Sequence, residues 1–331
     1  MATIGLSHTL LDLRKILNPQ GQVDRVMEIL SQDNAILQDM PMQEGNLPTG
    51  NKTTVRASLP GPEVRRINRG VAPSKGTTKQ VEDTAMILEA RSQVDIELLA
   101  LAPNPQAYRQ AEDDAHVEGM AQYAAAALLY GTDDADGFKG FMDRYNTIGG
   151  VIGQAGHQVI SAGTPSESAV NTSMLFVDWG DRRVTGIYPR GSQAGIKTKD
   201  LGENDALDGN GNPFRAMTTL YNWKLGLAVH NVRSVARICN INTGAFATMS
   251  AADATKLVDS IIVAKNRIWK PKAPVCYVSE AMYTFLEQYL THKDNVHITR
   301  QEIMGALPQL YFCGVPVKKL DCFKDTEAAV Q

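Results

Sequence analysis

The stretch from Asn104 to Tyr130 constrains the fold more than any other, because it carries every local signal for one unusually long helix. Asn104 is a good N-cap, Pro105 suits the first helical position, and Gly131 is a natural end. At 1.5 Å per residue the helix is expected to run roughly 39 Å, about twice the length of a typical globular helix. Its first half is strongly charged and its second half is mostly apolar. We therefore expect the first half to face solvent or a charged partner and the second half to be buried all round.

Residues 51–80 form a basic segment that cannot build a core of its own. A strand over residues 53–60 leads into it and ends at a proline, and turn-forming residues follow. The segment holds seven bases and one acid, and such a segment either stays mobile or gains order from a neighbour. A solvated basic loop is the alternative interpretation. Nucleic-acid binding is a weaker one, because the segment lacks aromatic stacking residues.

The acidic half of the long helix offers a complement to this segment on another copy of the chain. The helix dipole favours acids near a helix N-terminus. Opposite charges across an interface direct register and association more than they add affinity. The predicted subunit contacts are the bases Arg56, Arg65, Arg66, Arg69 and Lys75, and the helix acids Glu112, Asp113, Asp114 and Glu118.

The other patterns predict an α+β chain with helices packed on a small central sheet. Residues 1–45 are expected to form short helices with apolar stripes, and these stripes need another part of the protein or another subunit to cover them. Residues 81–101 are expected to form a strand that pairs with the arm and leads into the long helix. The β-rich part is expected to contain a hairpin over 174–188 turning near Gly180 and Asp181, and a loop over 195–213. One long or two consecutive strands are expected over 221–241.

The C-terminal part alternates helices and strands. Ser250 and Ser279 are each placed to cap a helix. Residues 273–278 are expected to form a buried strand between these helices, and a strand, a turn and a strand close the chain. A short helix is expected around residues 138–145.

The composition indicates a globular chain. It has 331 residues and a net charge of −3, which argues against nucleic-acid binding by the whole surface. No apolar run reaches the roughly 18 residues of a membrane span, and the N-terminus lacks the pattern of a secretory signal. The cysteines lack zinc-module spacing, so we expect reduced and mostly buried thiols in a cytosolic protein. They are Cys239, Cys276, Cys313 and Cys322.

No catalytic motif emerges from the sequence. The glycines of residues 149–156 do not make a dinucleotide-binding fingerprint. The histidines lack metal-ligand spacing. The stretch from Asp208 departs from a calcium loop, since Pro213 replaces its glycine and Thr219 its glutamate. We therefore predict no enzymatic activity, no metal and no cofactor.

Four sequence segments of this chain resemble segments of the major capsid proteins of tailed double-stranded DNA bacteriophages, which have the Hong Kong 97-type capsid fold. Residues 30–50 resemble the N-terminal arm and the start of the extended loop in the short-tailed phage branch. The basic segment falls where that family carries its extended loop, and the helix from Asn104 falls where it carries its spine helix. The other segments are residues 179–192, 221–230 and 312–321.

The resemblance implies a division of the chain into the arm, loop, peripheral and axial parts of that fold. The expected segments are an N-terminal arm over 1–45, an extended loop with flanking strands over 46–100, the spine helix over 101–131, an axial part with the hairpin over 132–210, peripheral strands over 211–242, and an axial part with C-terminal strands over 243–331. In the prototype the strand resembling 314–317 precedes the hairpin, so the chain order is expected to be rearranged here.

The implied function is a major capsid protein that self-assembles as hexamers and pentamers into the icosahedral head around phage double-stranded DNA. The implied partners are other copies of the chain, a separate scaffolding protein, a portal, a cement protein, and packaged DNA through non-specific contact, with no membrane. The implied location is the virion, with assembly in the host bacterial cytoplasm. Two alternatives stay open, a nanocompartment shell that encloses a cargo enzyme and an unrecognised soluble α+β enzyme.

Overall fold

A computed structural model describes residues 32, 34–134, 137–163, 170–208, 210–290, 298–301 and 309–331. The α-helices of these residues are α1 (Ala35–Asp39), α2 (Ile96–Leu101), α3 (Pro105–Tyr130), α4 (Phe141–Arg144), α5 (Ala251–Arg267) and α6 (Glu280–Leu290). The strands are β1 (Met42–Glu44), β2 (Gly50–Arg56), β3 (Thr78–Asp95), β4 (Val159–Ser161), β5 (Asn171–Asp178), β6 (Val184–Tyr188), β7 (Ile196–Leu207), β8 (Pro213–Val229), β9 (Val235–Asn242), β10 (Pro274–Val278), β11 (Ile298–Gln301), β12 (Gln309–Phe312) and β13 (Val315–Lys319). Short 3₁₀ turns cover Ala155–Gln158, Val232–Ser234 and Thr243–Thr248.

The strands form two sheets rather than the single central sheet expected from the sequence. A six-stranded sheet has the order β1-β6-β8-β3-β2, and β7 pairs with β8. Its axis is the antiparallel pair of β3 and β8, which runs from Ala85 opposite Gly226 to Asp95 opposite Ala216. Strand β3 also pairs with β2, from Gly50 opposite Thr84 to Arg56 opposite Thr78, and not with the described part of the arm.

A seven-stranded sheet has the order β11-β12-β13-β10-β5-β9-β4. Every residue of β5 is buried because this strand lies inside the sheet with both of its faces covered. Helices α5 and α6 pack on this sheet with apolar residues such as Ile261 and Leu286. The predicted helix after Ser250 is confirmed, since the Ser250 hydroxyl accepts a hydrogen bond from the Asp253 amide at 3.2 Å. The strand over 273–278 and the closing strand-turn-strand are confirmed as β10, β12 and β13.

The long helix is confirmed as α3, and the side chain of Asn104 accepts a hydrogen bond from the Ala107 amide at 3.2 Å. Its second half, however, is not buried all round, because α3 lies along one face of the six-stranded sheet. Tyr123 in this half is 59% exposed. The residues that face the core follow the helical repeat and are Met120, Ala124, Ala125, Leu128 and Leu129.

The predicted hairpin over 174–188 is wrong. The turn exists, with Gly180 at φ 149° and Arg182 at φ 57°, but β5 and β6 belong to different sheets. A single bridge between Trp179 and Val184 joins the two ends. The strands separate because β8 supplies the partner of β6 and β9 supplies the partner of β5.

The predicted loop over 195–213 is also wrong, since β7 and β8 form a long hairpin there. Its residues are polar and mostly exposed, and an edge strand needs no alternating apolar pattern when a long partner strand orders it. The predicted peripheral segment 211–242 contains two consecutive strands, and β8 and β9 lie in different sheets. The boundaries of the other predicted segments remain predictions.

One apolar core lies at the junction of the two sheets. It combines residues of α3 such as Leu128, of β8 such as Leu225, and of the seven-stranded sheet such as Val177 and Tyr277. Ile36 of α1 is fully buried in the same core. No helix of the described residues is long and apolar enough to cross a membrane.

Candidate assembly surfaces

The β2–β3 ribbon extends into a loop over residues 57–77 that has no strand pairing of its own. Hydrogen bonds close its base, from the Ala57 amide to the Thr77 carbonyl at 2.8 Å and between the Ser58 and Thr77 hydroxyls at 2.7 Å. A tight turn forms the tip, where the Arg69 amide donates to the Arg66 carbonyl at 3.1 Å. Asn68 adopts the left-handed conformation that this turn needs, with φ 64°. The loop is therefore shaped by local bonds and not by a core.

All of the predicted basic contact residues are exposed on this loop or at its base. Arg65 donates from Nε to the Arg69 carbonyl at 3.3 Å, which holds two of the bases at the tip. The sequence interpretation overlooked the apolar residues of the loop. Val64 is 95% exposed and Ile67 is 92% exposed, and large apolar groups that water surrounds in one subunit mark a contact surface. The exposed bases are Arg56, Arg65, Arg66, Arg69 and Lys75.

The predicted acids lie on α3, and they differ in exposure. Asp114 is exposed, whereas Glu112, Asp113 and Glu118 are half-buried. Glu118 accepts hydrogen bonds from the Gln32 amide at 3.1 Å and from Gln122 Nε2 at 3.0 Å. Asp113 lies beside Tyr221, whose pKa is raised mainly by burial and further by this carboxylate. The structure thus places the bases and the acids on separate elements of one subunit.

Arg109 ties the acidic half of α3 to the edge strand β7. Its Nη2 atom lies 3.1 Å from Asp200 Oδ2 and donates to the Thr219 hydroxyl at 3.0 Å. The pKa of Asp200 is lowered, first by the hydrogen bond from the Gly202 amide and then by Arg109. Arg109 and Asp200 are 91 residues apart in the chain, so no local pattern predicts this contact.

A polar cluster closes the base of the ribbon. The ring of His230 lies between β2 and β6, with Nδ1 3.0 Å from the Thr53 hydroxyl and Nε2 3.3 Å from the Thr185 hydroxyl. Burial lowers the pKa of His230, and the carboxylates of Asp83 and Asp181 oppose that shift. Asp83 is itself buried and paired with Arg144 at 2.7 Å. The cluster therefore links β2 to β6 through the His230 ring.

The N-terminal segment is anchored through α1. The Tyr277 hydroxyl donates to Asp39 at 2.7 Å, and Trp179 Nε1 donates to the Tyr277 oxygen at 2.8 Å. Lys318 of β13 forms an ion pair with the same aspartate. Burial, and then the Asp39 carboxylate, raise the pKa of Tyr277. This anchor joins residues of α1 to the seven-stranded sheet.

The described residues offer no group of three or more His, Cys, Asp or Glu side chains that could hold a metal ion. All four cysteines are free; Cys239 and Cys276 are buried, and Cys313 and Cys322 are half-buried. Burial raises the pKa of Cys239 to about 11 and that of Cys322 to about 11, which disfavours the reactive thiolate.

Comparison with solved structures gives the class of the fold. A chain in the structure of bacteriophage epsilon15 matches with a TM-score of 0.79 and 28% identity, over 100% of this chain and 99% of that chain. A capsid chain of a native GTA particle matches with a TM-score of 0.48 and 11% identity, over 69% of this chain and 96% of that chain. An encapsulin from Synechococcus elongatus matches with a TM-score of 0.45 and 11% identity, over 72% of this chain and 97% of that chain. No curated protein matches the sequence at a significant level.

The epsilon15 match, the two packed sheets, the long helix and the exposed ribbon define a Hong Kong 97-type fold, so the molecule is a shell subunit of the tailed-phage capsid class. The model of the family described as Major capsid protein GP7 matches residues 18–331. The chain belongs to this family and is a phage capsid protein, whose place is the virion. The expected rearrangement of chain order remains a prediction; β12 and β13 lie in the seven-stranded sheet beside β10.

Proposed function

We propose that this capsid subunit assembles as hexamers and pentamers into an icosahedral head that encloses phage double-stranded DNA. The observation that carries the proposal is the loop over residues 57–77, which is almost entirely exposed and has no core of its own. When a different surface of the next subunit buries this loop, the contact between the two subunits is heterologous. Such contacts close into rings when the rotation between subunits allows it.

In this proposal the loop lies on the acidic face of α3 in the neighbouring subunit. The loop supplies exposed bases and exposed apolar side chains such as Val64 and Ile67. The neighbour supplies carboxylates, of which Asp114 is the most open to solvent. Charge complementarity sets the register of the contact, and burial of the apolar side chains adds affinity. The pairing joins Arg56, Arg65, Arg66, Arg69 and Lys75 to Glu112, Asp113, Asp114 and Glu118.

The proposal includes partners beyond the subunit itself. A separate scaffolding protein directs assembly in the host cytoplasm, a portal occupies one vertex, and a cement protein binds the outside of the shell. Packaged DNA touches the inner surface without sequence preference. The subunit itself performs no catalysis. Its function is to hold the shell together through contacts that are repeated between many copies.

The test is reversal of three bases at the tip of the loop, Arg65→Glu, Arg66→Glu and Arg69→Glu, in one variant. The subunit should fold normally, because these side chains are exposed and support no core. Shell formation with the scaffolding partner should be lost, because the loop then meets the acidic face with like charge. Circular dichroism measures folding, and light scattering with electron microscopy measures assembly.

The matched control reverses three exposed bases on the β7–β8 hairpin, namely Lys197, Lys199 and Arg215. It makes the same change in net charge away from the loop and should assemble as the wild type does. A second variant adds Glu112→Lys and Asp114→Lys to the loop reversal and should recover part of the lost assembly. Normal shells from the loop variant, or no recovery in the charge swap, would show that this contact does not hold the shell together.

A further inference from the structure

Three loops meet at one surface where the chain crosses between the two sheets. They are residues 179–183, 230–234 and 268–273. The Trp269 amide donates to the Arg233 carbonyl at 3.0 Å, and Arg183 Nη2 donates to the Lys270 carbonyl at 2.7 Å. The Lys272 amide donates to Asp178 Oδ1 at 3.1 Å. We call the surface of these loops the tryptophan patch, and it consists of Arg182, Arg233, Trp269, Lys270 and Lys272.

The patch carries positive charge that the subunit does not neutralise. Among the described residues, no carboxylate lies within ion-pair distance of Arg233, Lys270 or Lys272. The nearest buried acid, Asp178, is fully engaged by Arg183 and by backbone amides. Arg182 is almost fully exposed and lies 4.0 Å from the exposed Asp181. Because the whole chain has a net charge of −3, this concentration of bases is local.

Trp269 holds two of these cations in place. Its ring is 47% exposed, and it carries Lys270 Nζ at 5.0 Å and Arg233 Cζ at 5.8 Å from the ring centroid. A cation resting on an indole face is attracted by the ring quadrupole, so both side chains are held near one place before any partner arrives. Such preorganisation lowers the entropy lost when a partner binds.

Two of the bases occupy a backbone conformation that side chains avoid. Arg182 has φ 57° and Lys270 has φ 48°, both in the left-handed region where glycine or asparagine is the usual residue. The chain therefore places charged side chains at two loop positions whose backbone conformation favours glycine or asparagine. Strained positions of this kind cluster at sites that bind a partner.

We propose that the tryptophan patch binds the phosphate backbone of packaged duplex DNA; this rests on the proposed function as a DNA-enclosing shell. Cations that are held near one place before binding suit phosphates, which accept contacts from Lys and Arg side chains that carry no sequence information. A single aromatic ring is too few for a single-stranded binding path, which stacks successive bases. A protein partner is less well matched, because the exposed Trp269 ring is surrounded by bases and two of the four are lysines, which are depleted at protein interfaces.

The first experiment measures the salt dependence of binding between the unassembled full-length chain and a random-sequence duplex of DNA by fluorescence anisotropy. The variant carries Arg233→Gln, Lys270→Gln and Lys272→Gln. Each cation that neutralises a phosphate contributes about 0.9 to the slope of log K against log salt, so the slope should fall by about 2.7 in the variant. The single variant Lys272→Gln, whose exposed side chain supports no core, should lower it by about 0.9.

The control variant neutralises Lys197, Lys199 and Arg215 and should keep the wild-type slope. Tryptophan fluorescence gives an independent readout, since Trp179 and Trp223 are buried and Trp269 is not. Duplex DNA should quench the tryptophan fluorescence of the wild type and leave the fluorescence of the Trp269→Phe variant nearly unchanged. An unchanged slope in both patch variants overturns the inference.

Electron microscopy of shells separates this inference from the proposed function. Failure of the wild-type chain to form closed shells would remove the proposed function. Wild-type shells together with an unchanged slope in the patch variants would remove only the patch inference. A patch variant that binds DNA as the wild type does but forms no shells would also overturn it, because the occupant would then be a second subunit. Closed shells from the patch variant with a reduced slope support it.

Discussion

At the scale of single residues, the buried pair of Arg237 and Glu327 is the contact that most constrains the described C-terminal segment. Arg237 is 4% exposed and Glu327 is 7% exposed, and Nη2 of the arginine lies 2.8 Å from Oε2 of the glutamate. Tyr130 at the end of α3 donates to Oε1 of this carboxylate at 2.6 Å, and Ser173 of β5 donates to Oε2. Burial first, and then Glu327, raise the pKa of Tyr130. A charge pair this deep in the protein persists only when its remaining polar atoms are hydrogen-bonded.

We predict that Glu327→Ala lowers the free energy of unfolding by about 3–5 kcal/mol, because it leaves the Arg237 charge buried without a partner. Tyr130→Phe removes the hydrogen bond to the carboxylate and also the acceptor of the Lys324 amide, and it should cost about 1.5–3 kcal/mol. Denaturant unfolding of the unassembled subunit, followed by circular dichroism, measures both. The exposed pair of Arg215 and Glu203 is the control, and Arg215→Ala should leave the midpoint almost unchanged. A Glu327→Ala midpoint equal to that of the wild type would contradict the prediction.

No reading of the sequence could have found this pair, since its members are 90 residues apart and each is an ordinary charged residue in its local context. The same holds for the tryptophan patch, whose bases come from three separate loops. The exposed loop bases were predictable for the opposite reason. A run of bases and turn formers without apolar periodicity cannot be buried anywhere in the fold, so the composition of residues 51–80 already indicates exposure.

At the scale of elements, helix α3 shows which features local signals can predict. The N-cap, the proline at the first position and the glycine at the end lie within the helix or beside it, and the observed bounds of Pro105–Tyr130 match them. The turn at Gly180 was predicted for the same reason. The partners of β5 and β6 were not, because strand pairing is decided by distant strands, and β8 and β9 outcompete the local hairpin.

Gly119 offers a test of α3 as an element. It lies in the helix interior, is exposed, and a Cβ atom there would meet nothing within 4 Å. Gly119→Ala should therefore raise the free energy of unfolding by about 0.5–1 kcal/mol, because alanine loses less backbone entropy in a helix. Thermal and denaturant unfolding of the subunit measure the change.

The matched control is Gly226→Ala in β8, where a Cβ atom would lie 2.5 Å from the Thr84 carbonyl oxygen. That backbone contact cannot be relieved by a side-chain rotation, so this variant should be less stable than the wild type. If Gly119→Ala lowered stability as Gly226→Ala is expected to, the interior of α3 would not be a regular exposed helix at Gly119.

At the scale of the whole molecule, the two sheets are joined by a core that the N-terminal segment completes. The chain crosses between the sheets through α3, through the turn after β5, and through the turn after β8. Helix α1 fills the junction, with Ile36 fully buried and Met40 nearly so. Asp39 adds polar contacts to Tyr277 and Lys318 of the seven-stranded sheet. Residues 34–40 therefore pack into the core of the subunit, and the arm over 1–45 remains a prediction.

Two truncations test this division. Deletion of residues 1–40 removes α1 and uncovers apolar groups at the junction, among them Trp179 and Tyr277, so we expect aggregates or malformed shells. Deletion of residues 1–31 keeps α1 and these contacts, so the junction should stay covered in this variant. Size-exclusion chromatography and denaturant unfolding measure the subunits, and electron microscopy with the scaffolding partner measures the shells. A folded, monodisperse subunit from the longer deletion would show that the junction closes without α1, because the other residues of the shared apolar core would then hold the two sheets together.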